Sequence, residues 1–110
     1  MKPVRFVGTS RADLAAFPKT ARIRAGHELF MVQVGREPAD SKPIPVVGQG
    51  AREIRVRDEA GAFRVIWVAS FGEAVYVLHA FQKKTPRTSR HDVELAARRY
   101  RQVCALARAE

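Results

Sequence analysis

Residues 53–57, Glu-Ile-Arg-Val-Arg, decide the class of fold because their charged and apolar side chains alternate. Alternation with a period of two is typical of a strand that is buried on one face only. Ile54 and Val56 share one face of this strand, and the three charged residues share the other. We therefore expect the first face to pack on a core and the second to be solvated.

Two more strands are predicted to follow. Residues 58–61, Asp-Glu-Ala-Gly, are typical of a turn. The segment 63–70 is strand-like apart from Arg64, and a second short turn separates it from the strand-like segment 75–81. Because short turns join antiparallel neighbours, the three strands form a predicted meander.

Helices are predicted before and after this meander in the chain. A first strand at 4–7 precedes two helices, 10–17 and 19–34, which Pro18 separates. A last helix follows Ser89, which with Asp92 has the form of a capping box. The predicted order is β-α-α-β-β-β-α, an α+β fold with a small antiparallel sheet, an N-terminal helical hairpin and a C-terminal helix.

The second helix carries apolar residues at intervals of three and four. Ile23, Gly26, Phe30 and Val34 recur in this way, which predicts that they form its buried stripe. The segment 36–50 is rich in proline and glycine and is predicted to be an irregular connector. We treat residues 1–110 as a single domain, since neither side of the connector is large enough to be a domain alone.

Composition limits the possible functions. The 110 residues include 20 Lys and Arg against 11 Asp and Glu, a formal net charge of +9, and one cysteine. A hydrophobic content of 46% excludes a disordered basic tail. One cysteine excludes a disulfide framework and a multi-cysteine zinc site. We expect a small soluble cytoplasmic protein with a polyanionic partner, such as nucleic acid, an anionic membrane or an acidic protein.

Basic residues concentrate on the predicted meander. Arg55 and Arg57 lie on the polar face of one strand, and the hairpin turn is expected to bring Arg64 close to Arg57. Such a row of like charges is either a solvated basic face or an anion-binding face. On the last strand, His79 and Phe81 point to the same side, so that a base can stack on the aromatic ring.

Further cations follow that strand. Lys83 and Lys84 end it, and Arg87 lies in the basic loop after it. The last helix carries a set of arginines that is either a solvated face or a track for a phosphate backbone: Arg90, Arg98, Arg99 and Arg101. Trp67 and Cys104 fall at positions expected to lie in the core.

The catalytic chemistry is expected to be basic. The sequence has no conventional nucleophile triad, no glycine-rich loop before a helix and no pair of acidic residues spaced for two metal ions. We therefore predict no cofactor and no metal. RNA is cleaved by such groups when its ribose 2′-OH attacks the adjacent phosphate, because the protein then only orients the chain, stabilises charge and moves protons.

Several segments together resemble a known family, the phage-derived branch of RelE/HigB-type toxins in the RelE/ParE superfamily. The string at 79–85 is the most specific of them. The segments are Glu-Ile-Arg at 53–55, Phe-Arg-Val at 63–65, His-Ala-Phe-Gln-Lys-Lys-Thr at 79–85, Asp-Val-Glu-Leu-Ala at 92–96, and Gly-Arg-Glu-Pro-Ala-Asp at 35–40 with Lys42-Pro43.

The resemblance implies the toxin of a type II toxin–antitoxin system, a ribosome-dependent mRNA endonuclease with a RelE-like fold. The implied partners are a helix-turn-helix antitoxin, the ribosome and mRNA, with no membrane. By motif, Arg55 and Arg64 hold the scissile phosphate, Lys83 and Lys84 assist its chemistry, and His79 is a candidate for proton transfer. The expected RNA-binding residues are Arg57, Phe81, Arg87 and Arg90.

Two points remain open at this stage. Superfamily members often have a Tyr or His near the C-terminus that orients the target nucleotide, and both Tyr100 and His91 fall in that region. Tyr100 lies on the apolar stripe of the last helix, where core packing is favoured.

The alternative functions are a ParE-like inhibitor of DNA gyrase that cuts no RNA, and a basic nucleic-acid-binding module without catalysis.

Overall fold

The computed structural model describes residues 1–72 and 74–109. These residues form an α+β fold, as predicted from the sequence. The elements in chain order are β1 (Val4–Phe6), α1 (Ser10–Ala15), α2 (Lys19–Gln33), β2 (Ser41–Pro43), β3 (Arg52–Asp58), β4 (Gly61–Val68), β5 (Val75–Lys83) and α3 (Arg90–Ala109). In the described ranges, no helix combines the length and the apolar character needed to cross a bilayer.

The strands form one sheet in the order β1-β5-β4-β3-β2. Strands β2 to β5 are antiparallel neighbours, whereas β1 pairs with β5 in parallel, with Val4 opposite Val75. The sheet is therefore mixed and not wholly antiparallel as predicted. Strand β2 also lies within the segment 36–50 that was predicted to be irregular. Its Pro43 is tolerated because β2 is an edge strand.

The β3–β4 hairpin determines which charged residues are neighbours. Asp58 pairs with Gly61, so Glu59 and Ala60 form the loop. This register places Arg55 opposite Arg64. Arg57, predicted to be a near cross-strand neighbour of Arg64, pairs with Ala62 and is therefore its diagonal and not its direct neighbour.

The sheet is covered on both faces. Helices α1 and α2 pack on the face that carries Ile54, Val65 and Val77. Helix α3 and the segment 44–51 cover part of the other face, where the second core contains Ile66 and Leu78. The prediction that this second face is solvated is therefore wrong for this half of it. Its other half carries the charged residues of β3.

Helix α2 buries a different stripe from the predicted one. Its buried apolar side chains are Ala21, Ala25, Leu29 and Val32. Ile23, Phe30 and Val34, which the sequence predicted to be buried, are exposed together with Gly26. Both stripes have helical spacing. The stripe with Ala21 and Ala25 is the buried one, because its small side chains allow the helix axis to lie close to β3.

Two side chains of α3 tie the helix to the rest of the fold. Arg99, predicted to belong to a solvated or phosphate-tracking face, is buried and donates hydrogen bonds to the carbonyl of Leu78 (2.9 Å) and to Thr9 Oγ1 (3.1 Å). The hydroxyl of Tyr100 donates to the carbonyl of Gln49 (2.7 Å). Trp67 is buried as predicted, and Cys104 is half-buried.

Candidate active site

Three side chains lie in one row across the sheet. Arg55 on β3 is opposite Arg64 on β4, which is opposite Phe81 on β5. Because directly opposed residues project from the same face, their side chains are neighbours. Arg57 and Lys83 lie in the next row, on either side of an alanine. We call these five residues (Arg55, Arg57, Arg64, Phe81 and Lys83) the cationic face.

Arg64 is the buried centre of the cationic face. Its Nε atom lies 3.3 Å from Oε1 of Glu53, a carboxylate that is 1% exposed. Burial lowers the pKa of the Arg64 guanidinium, Glu53 opposes this, and the charges of Arg55 and Arg57 lower the pKa further. The three guanidinium groups are thus close enough to interact, and they repel one another in the absence of an anion.

Arg55 is held by a carboxylate at the edge of the sheet. Its Nη2 lies 2.7 Å from Asp40 Oδ1, and its Nε donates to the same oxygen at 2.9 Å. Both side chains are partly exposed. The sequence analysis did not predict Asp40 as a site residue. Its contact with Arg55 depends on the conformation of the long segment between α2 and β3, which has no local sequence signal. Before Arg55 can bind a phosphate with both nitrogens, it must release Asp40 or share it.

His79 is clamped between an aromatic ring and a carboxylate. Its ring stacks on that of Phe81 with centroids 4.6 Å apart. Its Nε2 lies 2.7 Å from Asp92 Oδ1, and Asp92 Oδ2 accepts a hydrogen bond from Ser89 Oγ at 2.6 Å. One half of the predicted capping box is present, because the backbone N–H of Asp92 donates to Ser89 Oγ, while the Asp92 carboxylate accepts from the Ser89 hydroxyl in place of the Ser89 backbone N–H. The same box thus positions His79, a role that the sequence analysis missed.

The surroundings of His79 favour its neutral form. Burial lowers the pKa of His79, and the hydrogen bond and charge of Asp92 oppose this effect only in part. Donation from Nε2–H to the carboxylate leaves the lone pair on Nδ1. Nδ1 is buried and has no hydrogen-bond partner among the described residues. A neutral imidazole with a free lone pair is suited to accept a proton.

The other predicted site residues differ in how free they are. Lys83 donates to the carbonyl of Pro86 (2.7 Å), whereas Lys84 and Arg87 are exposed beyond the end of β5. Arg90 is exposed on α3, with its Nε 2.7 Å from Oε1 of Glu94. Lys84, Arg87 and Arg90 therefore flank the sheet and do not belong to its central row.

Of the two residues left open near the C-terminus, Tyr100 belongs to the core. Its ring packs against Phe71 with centroids 5.6 Å apart, in addition to its bond to Gln49. His91 is exposed at the start of α3 and shares with His79 and Phe81 a groove of about 460 Å³ at the edge of β5. This groove is wide enough to admit part of a nucleotide.

The acidic residues of the site, Asp40, Glu53 and Asp92, each pair with a basic side chain. Among residues 1–72 and 74–109, no three His, Cys, Asp or Glu side chains are grouped to hold a metal ion. The arrangement instead offers guanidinium and ammonium groups for phosphate oxygens, an aromatic ring for a base and a neutral imidazole for a proton.

The fold is that of a bacterial toxin of known structure. The crystal structure of the isolated E. coli RelE toxin, in its P21 form, aligns with 89% of this chain and 98% of its own, with a TM-score of 0.55 and 12% sequence identity. The α+β arrangement is therefore RelE-like, as the sequence resemblance predicted.

The chain itself belongs to a phage-derived family. The model of the family described as "Phage derived protein Gp49-like (DUF891)" matches residues 12–101, which include every residue of the cationic face. Among the curated proteins, no sequence matches the chain. The resemblance to the phage-derived branch of RelE-type proteins is confirmed by the family and by the fold together.

Proposed function

We propose that this protein is the toxin of a type II toxin–antitoxin system and that it cleaves mRNA on the ribosome. Membership of the Gp49-like family and a RelE-like fold support the toxin class. The observation that carries the reaction is the row of Arg55, Arg64 and Phe81, which joins two phosphate-binding groups to a stacking ring on one face of the sheet.

In the proposed reaction the RNA supplies its own nucleophile. The ribose 2′-OH gives its proton to a base and attacks the adjacent phosphorus, and the bond from phosphorus to the 5′-oxygen of the next nucleotide breaks. That oxygen takes a proton from water, and the RNA is left with a 2′,3′-cyclic phosphate. Arg64 and Arg55 stabilise the charge that develops on the phosphate oxygens, and Lys83 assists them. Phe81 stacks on a base and so keeps the reacting atoms in line.

His79 is the proposed group for proton transfer. Because His79 is neutral, its Nδ1 can accept the 2′-OH proton once the nucleotide has entered beside the stacked rings of His79 and Phe81. Lys84, Arg87 and Arg90 are proposed to bind the RNA backbone on either side, since they lie exposed along the exit of β5 and the start of α3. Arg57 extends the same positive surface along β3.

A primer-extension assay on a translated message tests the proposal. The double variant Arg55→Ala/Lys83→Ala should lower the cleavage rate by roughly 10²-fold, since each lost cation weakens transition-state stabilisation. The matched control is Arg98→Ala/Arg101→Ala, which removes two exposed charges from α3. It should cleave at nearly the original rate. Equal cleavage by both variants would overturn the site assignment.

The same proteins also separate mRNA from another target. If the unaltered chain leaves translated messages intact but blocks DNA supercoiling by purified gyrase, the nuclease function is refuted and the gyrase alternative holds. If it does neither, the remaining reading is a basic nucleic-acid-binding module. The proposed partner is a helix-turn-helix antitoxin, and co-expression with it should relieve growth arrest.

A further inference from the structure

Helix α2 has a second apolar stripe that the fold leaves uncovered. Ile23, Phe30 and Val34 are 59%, 48% and 42% exposed, and with Gly26 they follow one another at intervals of three, four and four residues. This spacing places all four on one side of the helix, opposite the side that packs on the sheet. We call these four residues the exposed stripe.

Gly26 lies in the middle of the exposed stripe without a structural reason inside this chain. A Cβ atom added there would have no neighbour within 4 Å, and Gly26 is absent from the glycines with positive φ. A glycine inside a helix lowers its stability relative to alanine. Its missing side chain leaves a shallow gap between Ile23 and Phe30, which would allow another helix to approach closely.

The rim of the exposed stripe is positively charged. Lys19 lies in line with the exposed stripe, four residues before Ile23, while Arg22 and Arg24 flank Ile23 on either side, and all three cations are exposed. Glu28 is the sole acidic residue of α2 and accepts a hydrogen bond from the backbone N–H of Ala39. Charge complementarity therefore calls for an acidic partner.

We propose that the exposed stripe is the docking surface for an amphipathic helix of the antitoxin, with apolar residues on one face and Asp or Glu along their borders. This inference rests on the proposed toxin function for the identity of the partner. A second copy of the chain is disfavoured, because its α2 would bring one acidic residue to these cations, Glu28, which already accepts a hydrogen bond from Ala39. A lipid surface is disfavoured as well, since it gains nothing from the gap at Gly26.

The exposed stripe also leads towards the cationic face. At the Ile23 end it opens into a groove of about 430 Å³, which is lined by Arg24, Asp40, Arg55 and Arg57 among others. Acidic residues of the docked helix that extend beyond Ile23 meet these guanidinium groups. The antitoxin would thus compete with phosphate for Arg55 and Arg57.

Titration calorimetry with the cognate antitoxin, taken as the protein whose co-expression relieves growth arrest, tests the docking surface. Ile23→Glu/Phe30→Glu should raise Kd by roughly 100-fold, because two exposed apolar anchors become like-charged with an acidic partner. The matched control Val46→Glu/Leu106→Glu adds two carboxylates at apolar positions that are 68% and 59% exposed. Its Kd should change by less than about 3-fold.

Gly26 supplies an independent measurement. Gly26→Ala should raise the melting temperature of the free chain by about 4 °C, since alanine favours the helix. Gly26→Leu should instead fill the gap and raise Kd by roughly 10-fold. Circular dichroism establishes that each variant is folded before binding is measured.

The outcomes separate this inference from the proposed function. Unchanged Kd for Ile23→Glu/Phe30→Glu overturns the docking surface, whatever the chain does to mRNA. If the unaltered chain does not cleave mRNA, the proposed function is refuted. A Kd that rises in Ile23→Glu/Phe30→Glu still supports the docking surface in that case. A dimer that Gly26→Leu dissociates, or stripe-dependent flotation with phosphatidylglycerol vesicles, assigns the stripe to a second copy or to a membrane and overturns the proposal.

Discussion

Arg64 and Glu53 form a buried ion pair that joins β4 to β3 diagonally across the sheet, with Nε and Oε1 3.3 Å apart. Glu53 also approaches Thr88 Oγ1 (3.4 Å) and Lys42 Nζ (4.0 Å). The Glu53 carboxylate therefore fixes the position of Arg64. It also contacts the edge strand β2 through Lys42 and the loop before α3 through Thr88. An arginine held in this way loses little further side-chain freedom when it binds a phosphate.

The buried pair makes Arg64 important for stability, in addition to the phosphate binding proposed for it. We expect Arg64→Ala to lower the free energy of unfolding by about 3 kcal/mol, because it leaves the buried Glu53 carboxylate without its guanidinium and with the longer contacts to Thr88 and Lys42 in its place. Glu53→Gln combined with Arg64→Ala should recover most of that loss. Urea unfolding of the two single variants and the double variant gives the coupling energy. Additive losses would show that the two side chains do not depend on each other.

Stability should fall in mild acid because of His79. Burial holds the pKa of folded His79 below its ordinary value of 6.5, despite Asp92, so the unfolded chain binds this proton first as the pH falls. The free energy of unfolding therefore decreases below about pH 6.5 and levels off below the folded pKa, with a slope of at most about 1.4 kcal/mol per pH unit.

Urea unfolding at pH 7.5 and pH 5.5 measures this dependence. His79→Gln keeps a donor for Asp92 and removes the titration, so the loss of stability on acidification should be smaller than in the unaltered chain. His91→Gln, at an exposed position in the same groove, serves as the control. An acid-dependent loss of the same size in all three proteins would contradict the assignment to His79.

Two glycines should respond to alanine with opposite signs. A Cβ atom at Gly48 would lie 2.4 Å from the ring of Tyr100, whereas one at Gly26 meets nothing within 4 Å. Gly48→Ala should therefore destabilise the fold by about 2 kcal/mol through overpacking, and Gly26→Ala should stabilise it by up to about 1 kcal/mol. Thermal unfolding compares the two, and destabilisation by both would argue against open space at Gly26.

Arg99 should matter far more to the fold than its neighbour. Arg99→Ala removes the donors to Leu78 and Thr9 and leaves a buried carbonyl unpaired, at a cost of about 3 kcal/mol. Arg98→Ala, at an exposed position on the same helix, should change stability by less than about 0.5 kcal/mol. The midpoints of chemical denaturation separate these values, and similar midpoints would show that the buried guanidinium is dispensable.

The meander was predictable because its signals are local. Alternation over residues 53–57 and a short turn define two strands without reference to the rest of the chain. The register was not predictable, because it depends on the loop length: the pairing of Asp58 with Gly61 makes Arg55 the direct neighbour of Arg64. Strand β1 was predicted, whereas its parallel pairing with β5 depends on contacts across almost the whole chain.

The stripe of α2 was not predictable from periodicity. Ile23 and Phe30 are more hydrophobic than Ala21 and Ala25, so a pattern that weighs hydrophobicity favours the wrong side. Close approach to the sheet decides the matter, and small residues permit it. The contacts of Glu53 and Asp40 with arginines were missed for a related reason, since both depend on segments that are distant in sequence or irregular.

The parallel pairing of β1 with β5 has a consequence during synthesis. Val4 to Phe6 are synthesised well before their strand partners, Val75 to Val77, which follow β2, β3 and β4 in the chain. A nascent chain that stops short of β5 has neither a closed sheet nor Phe81 and Lys83. Under the proposed function, the cationic face is therefore incomplete until β5 has been made and paired, and a nascent chain that lacks β5 is inactive.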